Sequence, residues 1–216
     1  MSIPLKRLDD VERALEAVRS HLVRDYSIAY PTETVYGLGC RPTQQAIANL
    51  AALKGRPPNK PFLLLVSSPT MARQYGLVFN AAAEAMAREF WPGPLTLVLP
   101  GGEGQLPDSL RGQEGGVAVR WTGNESTARL IELLEHPITS TSANRPGGPT
   151  APGVGAIGSY FGEEVSTGRL LILDGGVLGN VPPSTLVDCM EREPRLIREG
   201  AIPRDELHRK LGSYAP

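Results

Sequence analysis

Cysteine is nearly missing from this chain of 216 residues, with Cys40 and Cys189 its two thiols. Two cysteines cannot build a disulfide-dense scaffold, and they lack the paired spacing of a zinc site, so free thiols are expected. Histidine is almost as scarce: His21, His136 and His208 stand apart from one another and from any recognisable nucleophile motif, which argues against a serine or cysteine hydrolase. No apolar stretch approaches the ~18 residues a membrane span requires, and the opening MSIPLKRLDD runs into charge without the apolar core of a signal peptide. No membrane partner is therefore expected, and the expected location is cytoplasmic. An excess of one charge is missing too, since 22 Lys and Arg meet 23 Asp and Glu for a net charge of −1. Nothing draws the whole chain toward nucleic acid, and an RNA contact would need a local basic patch. Neither GxxxxGK[ST] nor a GxGxxG after a strand occurs, so a P-loop or Rossmann site is not supported; a nucleotide, if bound, is held by other means.

Hydrophobic residues at 41% and charged residues at 21% are those of an ordinary globular chain, and the length suits one α/β domain spanning residues 1–216. Glycine (24) and proline (20) are enriched and cluster in separate segments, as in a rigid frame carrying many shaped loops. Asp9 or Asp10 can cap a helix carrying Val11, Leu15, Val18 and Leu22 and ending near Asp25. Strands are expected at Ser27 to Tyr30, Phe62 to Val66, Leu95 to Leu99, Val117 to Arg120, Ile138 to Thr141, Leu170 to Leu173, Thr185 to Val187 and Leu196 to Ile197. Phe62 to Val66, wholly apolar, reads as a central strand covered on both faces. Helices are expected from Thr43 to Lys54 with Gly55 as the stop, over Asn80 to Phe90, after Asn124, and over Asp205 to Leu211. Thr32 to Gly39 and Pro100 to Gly116 read as loops. The irregular alternation of strands and helices favours a mixed twisted β-sheet flanked by helices over a strict doubly wound one.

Three segments could carry chemistry. Tyr30-Pro31-Thr32-Glu33-Thr34-Val35-Tyr36-Gly37-Leu38-Gly39 places hydroxyls, a carboxylate and flexible backbone at a strand end, suited either to a small polar ligand or to a tight turn with local hydrogen bonds. Lys54-Gly55-Arg56-Pro57-Pro58-Asn59-Lys60-Pro61 gathers three cations on a proline-stiffened loop. Such a loop can grip polyphosphate through Arg and Lys, or simply complement a helix C-terminus. Ser140-Thr141-Ser142-Ala143-Asn144-Arg145-Pro146-Gly147-Gly148 sets hydrogen-bonding side chains at a strand terminus, where α/β folds place ligands and also where turns form. Trp91 in Trp91-Pro92-Gly93-Pro94-Leu95-Thr96 reads as core. Pro183-Ser184-Thr185 and Arg198-Glu199-Gly200 read as a strand start and a strand end.

In this order the segments resemble the YrdC-like family, whose members carry YPT[DE]TVYGLG, KxRPxxKP, WPGPLT, STSAN and STxVD in succession. The likeness runs from Ile28 to Gly200. It implies an α/β, YrdC-like twisted open mixed sheet with a large concave cavity, in which ATP, L-threonine and bicarbonate become L-threonylcarbamoyl-AMP and pyrophosphate. That product serves N6-threonylcarbamoylation of adenosine 37 in tRNAs reading codons that begin with A. By the resemblance Lys54 and Arg56 are catalytic and nucleotide-binding, Lys60, Ser140, Ser142, Asn144, Ser184 and Arg198 bind nucleotide, and Thr32 approaches the threonine. Mg2+ is implied as the ion carried by the nucleotide, with no protein metal site. Other proteins of the tRNA-modification route, and weak contact with tRNA or double-stranded RNA, are the implied macromolecular partners.

Two departures stand out. Arg120 is followed by Trp121-Thr122 where members often read VAVRxP, and Phe62 to Val66 lacks the serine or histidine that members often place there. The chain resembles the short form of the family, without a second C-terminal domain. Two other functions fit the same residues: a carbamoyltransferase module forming a carbamoyl adenylate from carbamoyl phosphate and ATP, and an RNA-binding module, which the balanced charge disfavours.

Overall fold

Apolar runs, caps and turn residues resolve into elements much as their local chemistry dictates. The computed structural model describes residues 2–57 and 60–212. Its elements in chain order are β1 (Ser2–Pro4), α1 (Leu8–Leu22), β2 (Ser27–Tyr30), β3 (Gly37–Gly39), α2 (Gln44–Lys54), β4 (Leu63–Val66), α3 (Pro69–Gln74), α4 (Ala81–Phe90) and β5 (Leu95–Leu99). After a short 3₁₀ turn at Asp108–Leu110 come β6 (Val117–Trp121), α5 (Glu125–Leu134), β7 (Ile138–Ser142), α6 (Val154–Tyr160), α7 (Gly162–Ser166), β8 (Leu170–Asp174), β9 (Thr185–Asp188), β10 (Arg195–Arg198) and α8 (Arg204–Leu211).

Capping sets several boundaries. Thr43 Oγ1 accepts from Ala46 N at 3.2 Å, Asn80 Oδ1 from Ala83 N at 2.9 Å, and Asn124 Oδ1 from Thr127 N at 3.0 Å; each such cap contributes about 1 kcal/mol. Gly55 ends α2 in the left-handed region, φ 63°, which only glycine adopts without strain. The first helix differs from expectation: it starts at Leu8, and Asp10 sits inside its first turn, accepting from the backbone N–H groups of Lys6 and Arg7 at 2.9 and 3.0 Å. The elements that local sequence did not announce are β1, β3, α3, α6 and α7. They are short, and β3 and α6 are rich in glycine, so they lack the apolar periodicity that marks longer elements.

The ten strands among the described residues form one open mixed sheet in the order β1-β8-β2-β3-β7-β4-β6-β5-β9-β10. Pairing is parallel for β1/β8, β2/β8, β4/β6 and β5/β9, and antiparallel elsewhere. As expected from its apolar run, β4 is interior, between β7 and β6.

The two-residue side-chain period of a strand decides what each face does. On one face Leu95, Leu97 and Leu99 of β5, Val117 and Val119 of β6 and Val187 of β9 are all fully buried in the core. On the other, Thr96 and Val98, Ala118 and Arg120, Ser140 and Ser142, and Leu186 and Asp188 open into one cleft. That face is floored by small or polar side chains, so it leaves room where the opposite face fills it.

Part of the segment read as a loop, Thr32 to Gly39, is in fact strand. Gly37–Gly39 inserts antiparallel between β2 and β7, pairing Leu38 with both Ala29 and Thr141. Glycine permits this insertion, because a Cβ on Gly39 would lie 2.0 Å from the Thr139 carbonyl oxygen and 3.0 Å from the Tyr30 ring. Gly39→Ala is therefore expected to lose about 2–3 kcal/mol of stability, the upper range for overpacking against backbone, measured as a lower urea midpoint at unchanged slope.

Candidate active site

The core of the site is a buried ammonium. Lys54, the last residue of α2, is 5% exposed, and its Nζ donates to the Ser142 carbonyl, to Asn144 Oδ1 at 2.8 Å and to the Asn144 carbonyl at 3.2 Å. A lysine carries three N–H bonds, so all three are engaged by the turn that follows β7. Asn144 completes that turn, accepting from Ser142 Oγ at 2.7 Å and donating to the Gly148 carbonyl at 2.8 Å. Burial pushes the Lys54 ammonium down to about 8, and the neighbouring Arg56 charge acts in the same direction.

Arg56 leaves the same helix end by another route. Its Nε donates to the Lys60 carbonyl and Nη2 to the Pro61 carbonyl, both at 2.7 Å, while Nη1 reaches Thr141 Oγ1 at 3.1 Å. The guanidinium also stacks on the Phe62 ring, 4.6 Å from its centroid. Three of its five N–H bonds are thus engaged, fixing a planar fork with donors remaining at the cleft wall. Pro58 and Asn59, within this cationic segment, lie outside the described residues.

A second pair of guanidinium groups stands at the other side of the cleft. Arg120, 4% exposed, is 2.6 Å from Glu33 Oε1 through Nη2, and its Nε donates to the Gly93 carbonyl at 3.2 Å. Arg198 donates to the Ser184 carbonyl at 2.8 Å, and the Ser184 hydroxyl is 2.8 Å from that of Thr96. Burial first, and then the Arg120 charge, pull Arg198 below its ordinary value, so the two cations feel each other. Like charges held together in a cleft, with Glu33 as the nearby counter-charge, are suited to an anion.

The cleft encloses about 560 Å³, within the roughly 300–1,000 Å³ range of small-molecule sites. Of the residues singled out from sequence, Thr32, Arg56, Lys60, Ser140, Ser142, Ser184 and Arg198 line it. Lys54 and Asn144 stand behind the wall and shape it. Thr32 lines the cleft with its hydroxyl committed locally: it donates to the Val35 carbonyl at 2.6 Å and accepts from the backbone N–H groups of Thr34 and Val35 at 3.2 Å. The glycine-rich segment after β5 supplies Gly112, Gln113 and Glu114 to the rim, stapled by Arg111, which donates to the Gly101 and Gly115 carbonyls at 2.9 and 3.0 Å.

Sequence reasoning gave no site role to Arg120, Thr96 and Asp188, and it noted Glu33 only as the carboxylate of its segment. A signal for Arg120 was present: in Val117-Ala118-Val119-Arg120 a charged residue shares the strand face of a small one, opposite two valines, which is the pattern of a strand facing a polar cleft. No cysteine or histidine is among the described residues lining the cleft, and no three His, Cys, Asp or Glu side chains gather into a metal-holding group among the described residues.

Known proteins are similar to this chain in sequence and in fold. Residues 20–200 match the family model for Sua5, YciO and YrdC proteins, which bears the description "Telomere recombination". The chain is 36% identical over 186 residues to the threonylcarbamoyl-AMP synthase of Pyrococcus abyssi, covering 86% of this chain and 53% of that protein. To the threonylcarbamoyl-AMP synthase of Chromohalobacter salexigens it is 35% identical over 186 residues, covering 86% of this chain and 97% of that one. The chain therefore spans about half the length of the first relative and nearly all of the second. The crystal structure of P. abyssi Sua5 complexed with L-threonine is similar over 99% of this chain and 61% of that one, at 32% identity and a TM-score of 0.86.

Proposed function

Because the chain belongs to the family of Sua5, YciO and YrdC proteins, we propose that it is a threonylcarbamoyl-AMP synthase, converting ATP, L-threonine and bicarbonate to L-threonylcarbamoyl-AMP and pyrophosphate. The product would supply N6-threonylcarbamoylation of adenosine 37 in tRNA. The observation that carries this reading is the pair of cationic subsites in one cleft, Arg56 with Lys60 on one side and Arg120 with Arg198 on the other. The reaction brings together two anions, a triphosphate and an amino-acid carboxylate, and the hydroxyl-bearing Thr96, Ser140 and Ser142 line the same cleft.

The chemistry needs no protein nucleophile. The neutral threonine amine adds to CO2 released from bicarbonate, and loss of a proton leaves a carbamate. A carbamate oxygen then attacks the α-phosphorus as the bond to the bridging oxygen breaks, and pyrophosphate departs with that electron pair. The protein's part is to bring the two anions together and to balance the charge that builds on the leaving phosphates. In this reading Arg56 and Lys60 would hold the phosphates, Ser140, Ser142 and Ser184 would donate hydrogen bonds to the nucleotide, Arg198 would meet the adenylate phosphate and Arg120 the carboxylate. Lys54 and Asn144 act from behind the wall, and Thr32 shapes the edge near the amino acid. The carboxylates lining the cleft fit no metal cage, since Asp188 and Glu114 are both paired with Arg195, at 2.8 and 3.1 Å. Mg2+ would be carried by the phosphate oxygens and would neutralise their charge.

The deciding experiment is pyrophosphate release by the purified protein with ATP, Mg2+ and bicarbonate, with and without L-threonine. Threonine-dependent release is expected. Arg56→Ala is expected to raise the KM for ATP by about 10- to 100-fold, the range for a lost charge-assisted contact. Well-folded protein that releases pyrophosphate only with carbamoyl phosphate, or that releases none while shifting tRNA in a salt-dependent manner, would overturn the assignment.

A further inference from the structure

Arg120 presents its guanidinium to the cleft, yet what holds it there comes from distant parts of the chain. Glu33, between β2 and β3, reaches across to the end of β6. Its Oε2 accepts from Thr122 Oγ1 at 2.6 Å, and its Oε1 is buried 2.6 Å from Arg120 Nη2. That second contact contains no aligned hydrogen bond, so charge rather than hydrogen-bond direction joins the pair. Thr122 in turn accepts from Asn124 N at 3.2 Å, which anchors the carboxylate to the start of α5. The other holds on the guanidinium are weaker: the Gly93 carbonyl at 3.2 Å and Thr34 Oγ1 at 3.3 and 3.4 Å. Burial alone would push the Glu33 carboxyl up, but Arg120, followed by Thr122, brings it below its usual value, so the carboxylate is charged across the neutral range.

We propose that Glu33 is a positioning residue for the reaction: it fixes the rotamer of Arg120 from behind, so that the guanidinium faces the cleft pre-oriented for the carboxylate of the incoming amino acid. This rests on the function proposed above. A lone arginine on a strand end samples several rotamers, and ordering it on binding costs affinity; an ion pair that orders it beforehand removes that cost. Glu33 touches no substrate in this arrangement and works entirely through Arg120.

The test combines kinetics with arginine side-chain NMR. Glu33→Ala and Glu33→Gln are made in the wild-type and in the Arg120→Met background, and the signal of the Arg120 Nη2–H groups, which face Glu33, is assigned by its loss in Arg120→Met. The wild-type signal is expected to be protected from solvent exchange, weakened in Glu33→Gln and lost in Glu33→Ala. The KM for L-threonine is expected to rise about 10-fold or more in Glu33→Ala and a few-fold in Glu33→Gln, with the KM for ATP little changed. Glu33→Ala should add nothing to the defect of Arg120→Met. A protected Arg120 signal in Glu33→Ala, or an equal penalty with Arg120 absent, would overturn the proposal. Should Glu33→Ala fail to fold, a Glu33→Gln protein matching wild type in both signal and KM would overturn it as well. If the wild type shows no threonine-dependent release, the assigned activity fails by itself, while the NMR arm still decides whether Glu33 holds Arg120.

Discussion

Lys54→Met is expected to lower kcat/KM for ATP by about 100-fold or more, the scale of loss when a wall of a site moves by about 1 Å. The ammonium is the one group that ties together the Ser142 carbonyl, the Asn144 carbonyl and Asn144 Oδ1. Methionine fills the space but donates nothing: the Asn144 carbonyl loses its donor, while the Ser142 carbonyl keeps only Asn144 N at 3.0 Å and Asn144 Oδ1 only Ser142 Oγ at 2.7 Å. Each hydrogen bond from a charged donor contributes about 1.5–3 kcal/mol, partly offset because a buried ammonium is itself costly. A net loss of about 2–4 kcal/mol follows, and a fall of roughly 5–15 °C in Tm at about 2–4 °C per kcal/mol. Calorimetry and pyrophosphate release on one preparation would check both. Undiminished activity would show that the turn holds its shape without the lysine.

The same residue gives a pH signature with opposite signs for stability and binding. The folded-state value of Lys54 is about 8 against 10.5 for an unburied lysine. Between those values the folded state binds fewer protons than the unfolded one, so this group's contribution to stability grows as pH rises through the window and is lost as pH falls through 8. ATP affinity runs the other way, because a neutral amine offers two N–H bonds to three acceptors and no charge. Titration calorimetry is expected to show ATP binding weaken above about pH 8, and Lys54→Arg, whose guanidinium does not titrate there, to remove that limb.

Arg120→Met should be the most destabilising change in the cleft. It strips Glu33 of its counter-charge, and breaking a buried pair from one side costs about 3–5 kcal/mol. The variant also makes a directional prediction. Without Arg120, burial dominates and raises the Glu33 carboxyl above its usual value. The folded variant then holds a proton that the unfolded chain releases, so its deficit shrinks at acid pH and widens as pH rises through the raised value. Urea unfolding at pH 5 and pH 8 distinguishes this from simple loss of packing, which would give the same deficit at both. Threonine-dependent turnover should fall with it, since Arg120 and Arg198 together form the second cationic subsite.

Much of this arrangement was open to reading in the chain. Thr43, Asn80 and Asn124 are caps because their side chains bond the backbone three residues on, which needs no tertiary information. Gly55 stops α2 for an equally local reason. The apolar run from Phe62 to Val66 gave an interior strand because a segment with no polar face must be covered on both sides. Other features were not legible in that way. Gly37 to Gly39 carries no β-forming side chain and is strand only because Tyr30 and Thr139 leave room for a backbone with no Cβ. Lys54 and Arg56 are two residues apart and look alike as cations, yet one turns inward to a loop and the other lies along the cleft wall.

The sequence by itself determined the elements whose signals are short-range: caps, stops, apolar strands, and the five ordered segments that define the family. It also narrowed the kind of chemistry available, since a chain with isolated histidines and two cysteines without paired spacing offers chiefly cations, carboxylates and hydroxyls. Tertiary structure alone decided how those groups divide the work. Sheet order brings Glu33, Gly93 and Arg120 together although 27 or more residues separate Arg120 from either partner, and the strand alternation sends Ala118 and Arg120 into the cleft while Val117 and Val119 fill the core. Whether a lysine binds a ligand or braces the wall depends on which acceptors lie within about 3 Å of its nitrogen. That distance is set by the packing of α2 against the end of β7, and no spacing along the chain encodes it.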